Sequence, residues 1–162
     1  MPKQLEILLS PNPTLRKKSV PIEASDILKP EFQSFLADMK LTMIKKDGAG
    51  LAAPQIGKNI RVIVIQHDDN VFFLINPVIT KKSWAREIEE EGCLSVLNKK
   101  GEIIYAPVER HKKINCIYLN EKGEKKKISV EKLFARIIQH ETDHLDGILF
   151  IDKIAKIKPT KK

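Results

Sequence analysis

Residues 139–147 read Gln-His-Glu-Thr-Asp-His-Leu-Asp-Gly. On a helix, His140 and His144 stand four residues apart, so both imidazoles leave one face and can grip a single metal ion. Glu141, one position along, is close enough to handle protons at an activated water but poorly set to be a third ligand. The bland alternative is a helix with two surface histidines. Two nitrogens do not hold a catalytic metal, so a third protein donor is needed, with a fourth position left open for water. Metzincin-type proteases place a third His six residues after the second, and here that position is Phe150. Thermolysin-like enzymes take a Glu from a later helix, yet neither Glu nor His follows His144. The third donor must come from upstream.

Four upstream residues qualify: Cys93, Cys116, His67 and His111. Cys93 stands in Glu91-Gly92-Cys93-Leu94-Ser95, a small loop where glycine permits close backbone approach and polar groups flank the thiol. Cys116 lies in a strand-like run, where a lone Cys is most often a small hydrophobe. His67, in His67-Asp68-Asp69-Asn70, reads as a solvated turn residue, and His111 sits in the charged run Arg110 to Lys113. Cys93 is preferred, with the other three left open.

These residues need elements to position them. Val130 to Asp146 and Pro30 to Lys46 carry helical spacing, the latter with Leu28, Phe32, Phe35, Leu36, Met39 and Met43 as a core stripe and Pro30 in a tolerated first-turn position. Arg61 to Gln66, Val71 to Ile75, Lys113 to Leu119 and Lys125 to Val130 read as strands, the last two joined by the turn Asn120-Glu121-Lys122-Gly123. The predicted class is α+β, with antiparallel β-sheets around a central helix carrying the HExxH motif and a further N-terminal helix. The 162 residues are expected to form one domain, 1–162, ending in a short basic tail, 153–162. Two cysteines, one with a ligand role, argue for a reducing compartment. No stretch is long enough to span a membrane and no signal-type apolar segment opens the chain, so a cytoplasmic monomer is expected, or an organellar protein after transit-peptide removal.

Three segments in order resemble the motifs of peptide deformylases: Gly48-Ala49-Gly50-Leu51-Ala52-Ala53-Pro54-Gln55, Glu91-Gly92-Cys93-Leu94-Ser95 and Gln139-His140-Glu141-Thr142-Asp143-His144. Pro11 to Arg16, Ile75-Asn76-Pro77 and Val108-Glu109-Arg110 are similar to further family segments. The resemblance implies removal of the N-formyl group from the initiator methionine of a nascent chain, releasing formate. It implies Cys93, His140 and His144 as metal ligands and Glu141 as general base, then general acid. Gln55 and the backbone N–H of Leu94 would donate to the developing oxyanion. Gly48 and Gly50 would lie along an extended peptide, and Leu133, Arg136 and Ile137 would line the methionine pocket. The donor set suits Zn(II), Fe(II), Ni(II) or Co(II) alike. The family implies Fe(II) as the native ion in many members.

Departures from the family pattern bear on substrate. The stretch from Cys93 to Val108, including Asn98-Lys99-Lys100-Gly101-Glu102, is longer than in common bacterial members. Arg136 puts a guanidinium on an otherwise apolar pocket face. Either it snorkels out to solvent, the favoured reading, or it narrows the pocket or favours an acidic or polar group there. Glu91 either supports a ligand His or pairs with Arg110, or is a solvated member of the acidic run Glu87 to Glu91. Trp84 is expected to pack at the edge of the domain. The net charge of +8, with lysines at 122–127 and 153–162, fits a solubilising surface or weak, salt-sensitive attachment to ribosomal RNA. The rivals are a metallo-endopeptidase, which lacks its downstream ligand, and an RNA-binding module, which leaves the metal motif unexplained.

Overall fold

Four successive residues, Val62 to Ile65, are buried in one strand, as happens when both faces of a sheet are covered. The computed structural model, which describes residues 1–156, shows what covers them. Helix α1 (Pro30–Lys45) lies on one face, where Leu36, Met39 and Met43 meet Val62 and Val64. Helix α2 (Lys132–Leu145) lies on the other, where Ala135, Ile138 and Leu145 meet Ile63 and Ile65. Each fully buried aliphatic side chain contributes about 1.5–3 kcal/mol relative to exposure.

The strands in chain order are β1 (Gly50–Ala52), β2 (Val62–His67), β3 (Asn70–Lys82), β4 (Arg86–Glu91), β5 (Ala106–His111), β6 (Lys113–Leu119) and β7 (Lys125–Glu131). A five-stranded antiparallel sheet has the order β1-β2-β3-β6-β7, and β4 and β5 form a separate antiparallel pair. This is the expected α+β class. Both helices and four of the strands match the sequence reading, although β3 runs seven residues past Ile75, to Lys82. It does so through a bulge at Asn76, whose left-handed backbone (φ 51°) suits asparagine. The Asn76 amide clamps residue 22, accepting from Ile22 N at 2.8 Å and donating to Ile22 O at 2.7 Å.

β1, β4 and β5 carry no usable pattern of their own. β1 has three residues, β4 is an acidic run and β5 contains Pro107. Two expectations fail. Leu28 is 67% exposed because it precedes the helix that Pro30 starts. Trp84 does not pack at an edge: it is fully exposed in the turn between β3 and β4.

The N-terminal segment has no regular structure but is tied across three elements. Lys3 N donates to Asp38 and Leu5 N to Thr42, both on α1, while Leu8 N donates to Gln55 O and Ser10 N to Ser95 O. Residues 153–156 run beside β5, with Ala155 N donating to Pro107 O at 2.8 Å. The rest of the expected basic tail, 157–162, lies outside the described residues.

Gly147 ends α2. Its N–H bonds His144 O and the next N–H, of Ile148, bonds Asp143 O, the paired bonds of a Schellman cap. Its φ of +73° disfavours any side chain, and a Cβ there would come within 2.4 Å of Arg16 O. Gly147→Ala is expected to destabilise the protein by at least about 1–3 kcal/mol. Urea unfolding measures it, and an unchanged midpoint would contradict this reading of the cap.

Candidate metal centre

Helical spacing brings His140, Glu141 and His144 together on α2, and the loop after β4 carries Cys93 to them. One donor atom from each of Cys93, His140 and His144 lies within 4.8 Å of the others, and all three residues are buried. Among the described residues no other group of three His, Cys, Asp or Glu converges in this way. Cys93 Sγ stands 3.3 Å from His144 Nε2. The other upstream candidates are elsewhere. Cys116 is buried in the sheet core, where burial pushes its thiol up to about 11. His111 donates from Nδ1 to Ser83 O, and His67 stacks on Phe134 instead of lying free in solvent.

Glu91 organises the site. Its Oε1 accepts from Arg110 Nε at 2.9 Å and from Arg136 Nη1 at 2.8 Å. Its Oε2 accepts from Arg110 Nη2 at 3.0 Å and from His140 Nδ1 at 2.9 Å. The solvated reading of Glu91 is therefore corrected, and both supporting roles hold at once. A proton held at Nδ1 leaves the Nε2 lone pair of His140 for a cation. Burial disfavours the Glu91 charge, but hydrogen bonds from His140 and Arg110 outweigh it and hold the carboxyl well below the usual range. Asp143 extends the network to the surface, pairing with Arg110 Nη1 and with Lys153 Nζ.

Arg136 does not snorkel. It is 4% exposed, and its guanidinium donates to Glu91, to Val108 O at 2.9 Å and to Glu87 O at 2.9 Å. Its Nε lies 3.4 Å from Glu89 without hydrogen-bond geometry. Acceptors within the protein replace water, so the long stem has no reason to reach outward.

A cavity of about 280 Å³ opens beside the donors, lined by Gly48, Gly50, Gln55, Leu94, Leu133, Arg136 and Ile137 as well as by Cys93, His140 and Glu141. Of the site residues that the resemblance implies, all but the buried His144 thus line one space. Ile103 and Tyr105 join them, because the longer loop after Ser95 folds back through a Leu97–Ile103 bridge. Gln55 accepts from Ala52 N through Oε1, and its Nε2 donates to Ser95 Oγ at 3.1 Å while facing Cys93 Sγ at 3.6 Å. Ser95, which sequence reasoning passed over, also donates its N–H to Cys93 Sγ at 3.4 Å, so two donors face the sulfur. Gln139 was missed too: its amide bonds both N and O of His111, fixing α2 against β5.

Gly50 is explained by Glu141. A Cβ on Gly50 would lie 2.6 Å from Glu141 Oε1, so the glycine makes room for this carboxyl as well as for any ligand alongside. Burial pushes the Glu141 carboxyl up to about 7, and its Oε2 is buried without a partner. A soft thiolate, two imidazoles and a partnerless carboxyl around one cavity fit a divalent cation with an open coordination position.

Glu91→Ala is expected to weaken metal affinity by about 10–100-fold, since His140 loses its orienting acceptor. Competition against a chelator measures this. Cys93→Ala should fall well below one metal per chain by elemental analysis, and full occupancy would remove Cys93 from the ligand set.

The described geometry has close counterparts. The family model described as polypeptide deformylase matches residues 4–160. The chain is 45% identical over 142 residues to peptide deformylase 1 of Clostridium acetobutylicum, covering 88% of this chain and 89% of that one. It is 40% identical over 157 residues to peptide deformylase 2 of Xanthomonas campestris, covering 95% and 89%. The crystal structure of peptide deformylase from Thermotoga maritima superposes with a TM-score of 0.87 at 35% identity, covering 95% of this chain and 99% of that one. The Met-Ala-Ser-bound class I type b peptide deformylase from Acinetobacter baumannii gives 0.88 at 30%, covering 95% and 100%.

Proposed function

The chain belongs to the polypeptide deformylase family, and on that premise we propose how its residues divide the work of deformylation. The enzyme is a hydrolase that removes the N-formyl group from nascent polypeptides. The observation that carries the residue assignments is the convergence of Cys93, His140 and His144 at the wall of a cavity shared with Glu141. Those three would hold the metal, Fe(II) as the native ion, with Zn(II), Ni(II) and Co(II) compatible with the same donors. When bound, the cation supplies Lewis acidity toward water and the formyl oxygen.

The chain's own groups supply the rest. Glu141 takes a proton from the attacking water at a carboxylate oxygen and returns it to the departing amine. Its burial beside Gly50 suits both halves of that cycle, because a carboxyl near neutrality gives and takes a proton with little cost. Gln55 Nε2 and the Leu94 N–H are the donors for the formyl oxygen as it becomes anionic. Strand β1 is an edge strand beside the cavity, which supports an extended peptide pairing along residues 48–50. The similar Acinetobacter enzyme is bound to a peptide, Met-Ala-Ser. Leu133, Arg136 and Ile137 line the methionine pocket, and the Arg136 terminal nitrogens are hydrogen-bonded to Glu91, Val108 O and Glu87 O.

The surrounding cell biology is also a proposal. No helix among the described residues is long and apolar enough to cross a membrane, and the reading adopted is a cytoplasmic enzyme. The net charge of +8 favours weak attachment to ribosomal RNA close to the emerging chain.

Metal-replete protein purified anaerobically is expected to release formate from formyl-Met-Ala-Ser, and no release would reject the assignment. Glu141→Gln should lower kcat by about 10²–10⁴-fold while retaining the metal. Because the base must be ionised, kcat/KM should rise with pH through a limb at or below about 7, to which burial raises the carboxyl against the charge of His140, since a bound cation favours the carboxylate. Arg136 is already engaged by Glu91, Val108 O and Glu87 O, so formyl-Glu peptides should remain poor substrates. A preference for them that vanished in Arg136→Ile would restore the acidic-pocket idea.

A further inference from the structure

A second concavity, of about 510 Å³, lies on the other side of α2 and shares no lining residue with the substrate cavity. Gln139 and Asp143 form its floor, whereas Arg136, Ile137, His140 and Glu141 face the substrate. Lys82 at the end of β3 and Arg86 at the start of β4 line one wall, and Lys153 and Lys156 of the segment beside β5 line another. With Arg110 there are five fixed cations against two carboxylates, Glu109 and Asp143. Those two are already paired, Glu109 with Arg86 and Asp143 with Arg110 and Lys153. Lys82 and Lys156 have no such partner among the described ion pairs, and the groove is left with a net positive lining.

Trp84 lies in the turn between two residues that line this groove, Lys82 and Arg86. That turn is held in place by hydrogen bonds that include His111 Nδ1 to Ser83 O at 2.6 Å, Ser83 N to Lys113 O at 2.9 Å and Lys112 N to Ala85 O at 2.9 Å. His111 is itself a groove residue. A fully exposed indole on a pinned turn is costly to leave in water without a use, and here it is flanked in sequence by two cations of the groove, Lys82 and Arg86.

The geometry points to a binding groove for single-stranded RNA, in which Lys82, Lys156 and their neighbours meet the phosphates and a base stacks on Trp84. Stacking on an exposed ring beside a cationic track is how single strands are held without sequence readout. A duplex shields its base faces and cannot use the indole. Because the two concavities are separate, a bound strand leaves the substrate cavity open. The inference stands apart from the deformylation chemistry and deepens only the reading of the basic surface.

Trp84 is the chain's single tryptophan, so its fluorescence reports on the site directly. The metal-loaded protein is titrated with a twelve-nucleotide oligoadenylate, and in parallel with an RNA duplex, linear polyphosphate, polyglutamate and phosphatidylglycerol vesicles. Saturable quenching by the single strand is expected, with weaker binding of every other probe. Trp84→Ala, followed with labelled RNA, should lose affinity by about ten-fold or more. Lys82→Ala and Lys156→Ala should each shallow the salt dependence by about 0.7. Formate release should be unchanged in Trp84→Ala and at saturating oligoadenylate, and that readout separates failure here from failure of the enzymatic reading. Equal RNA affinity for Trp84→Ala and the parent would overturn the proposal. So would polyphosphate, polyglutamate, duplex or vesicles binding as tightly as the single strand, or RNA competing with the formyl peptide.

Discussion

A carboxylate buried among two guanidinium groups and an imidazole is the hinge of this structure. Glu91 contacts Arg110, Arg136 and His140 simultaneously, and so joins β4, β5 and α2 at the site. Burying an ion costs several kcal/mol unless its hydrogen-bonding sites are filled, and here four contacts fill them. Removing any one partner leaves charge stranded in a dry place. The two-stranded sheet can thus be small and acidic on its outer side and still be held firmly against the helix, because the attraction is concentrated at one point.

The other organising element is α2, whose faces have separate duties. Ala135, Ile138 and Leu145 face the sheet, His140 and His144 face Cys93, and Leu133 and Ile137 border the cavity. Gln139 and Asp143 turn toward β5 and the surface. Few residues of the helix are left without a task, which is why nine of its fourteen are buried.

How much of this was legible in the sequence depended on whether the cause was local. The His140–His144 pair could be read because helical periodicity alone sets it. Cys93 was favoured because its loop chemistry differed from the strand setting of Cys116. The fold class followed from the runs of β2, β3, β6 and β7. Arg136 was misread because its burial depends on Glu87, Glu91 and Val108, more than 25 residues away, whose positions no local pattern reports. The same holds for β4 and β5, which exist through pairing with each other, and for Ser95 and Gln139, whose partners come from elsewhere in the chain. Trp84 inverted the usual expectation for an aromatic residue. Gly50 was assigned to peptide approach, while the structure adds a closer neighbour, the Glu141 carboxyl.

The first ten residues have no helix or strand, yet they behave as lacing. They run from α1 past the backbone of Gln55 to that of Ser95, binding together two stretches that are 40 residues apart in sequence and flank the same sulfur. An intact beginning therefore matters to the shape of the catalytic rim even though no side chain there does chemistry. Trimming it would loosen two neighbours of Cys93 at once, while the exposed Met1 leaves the outermost end open to an added sequence.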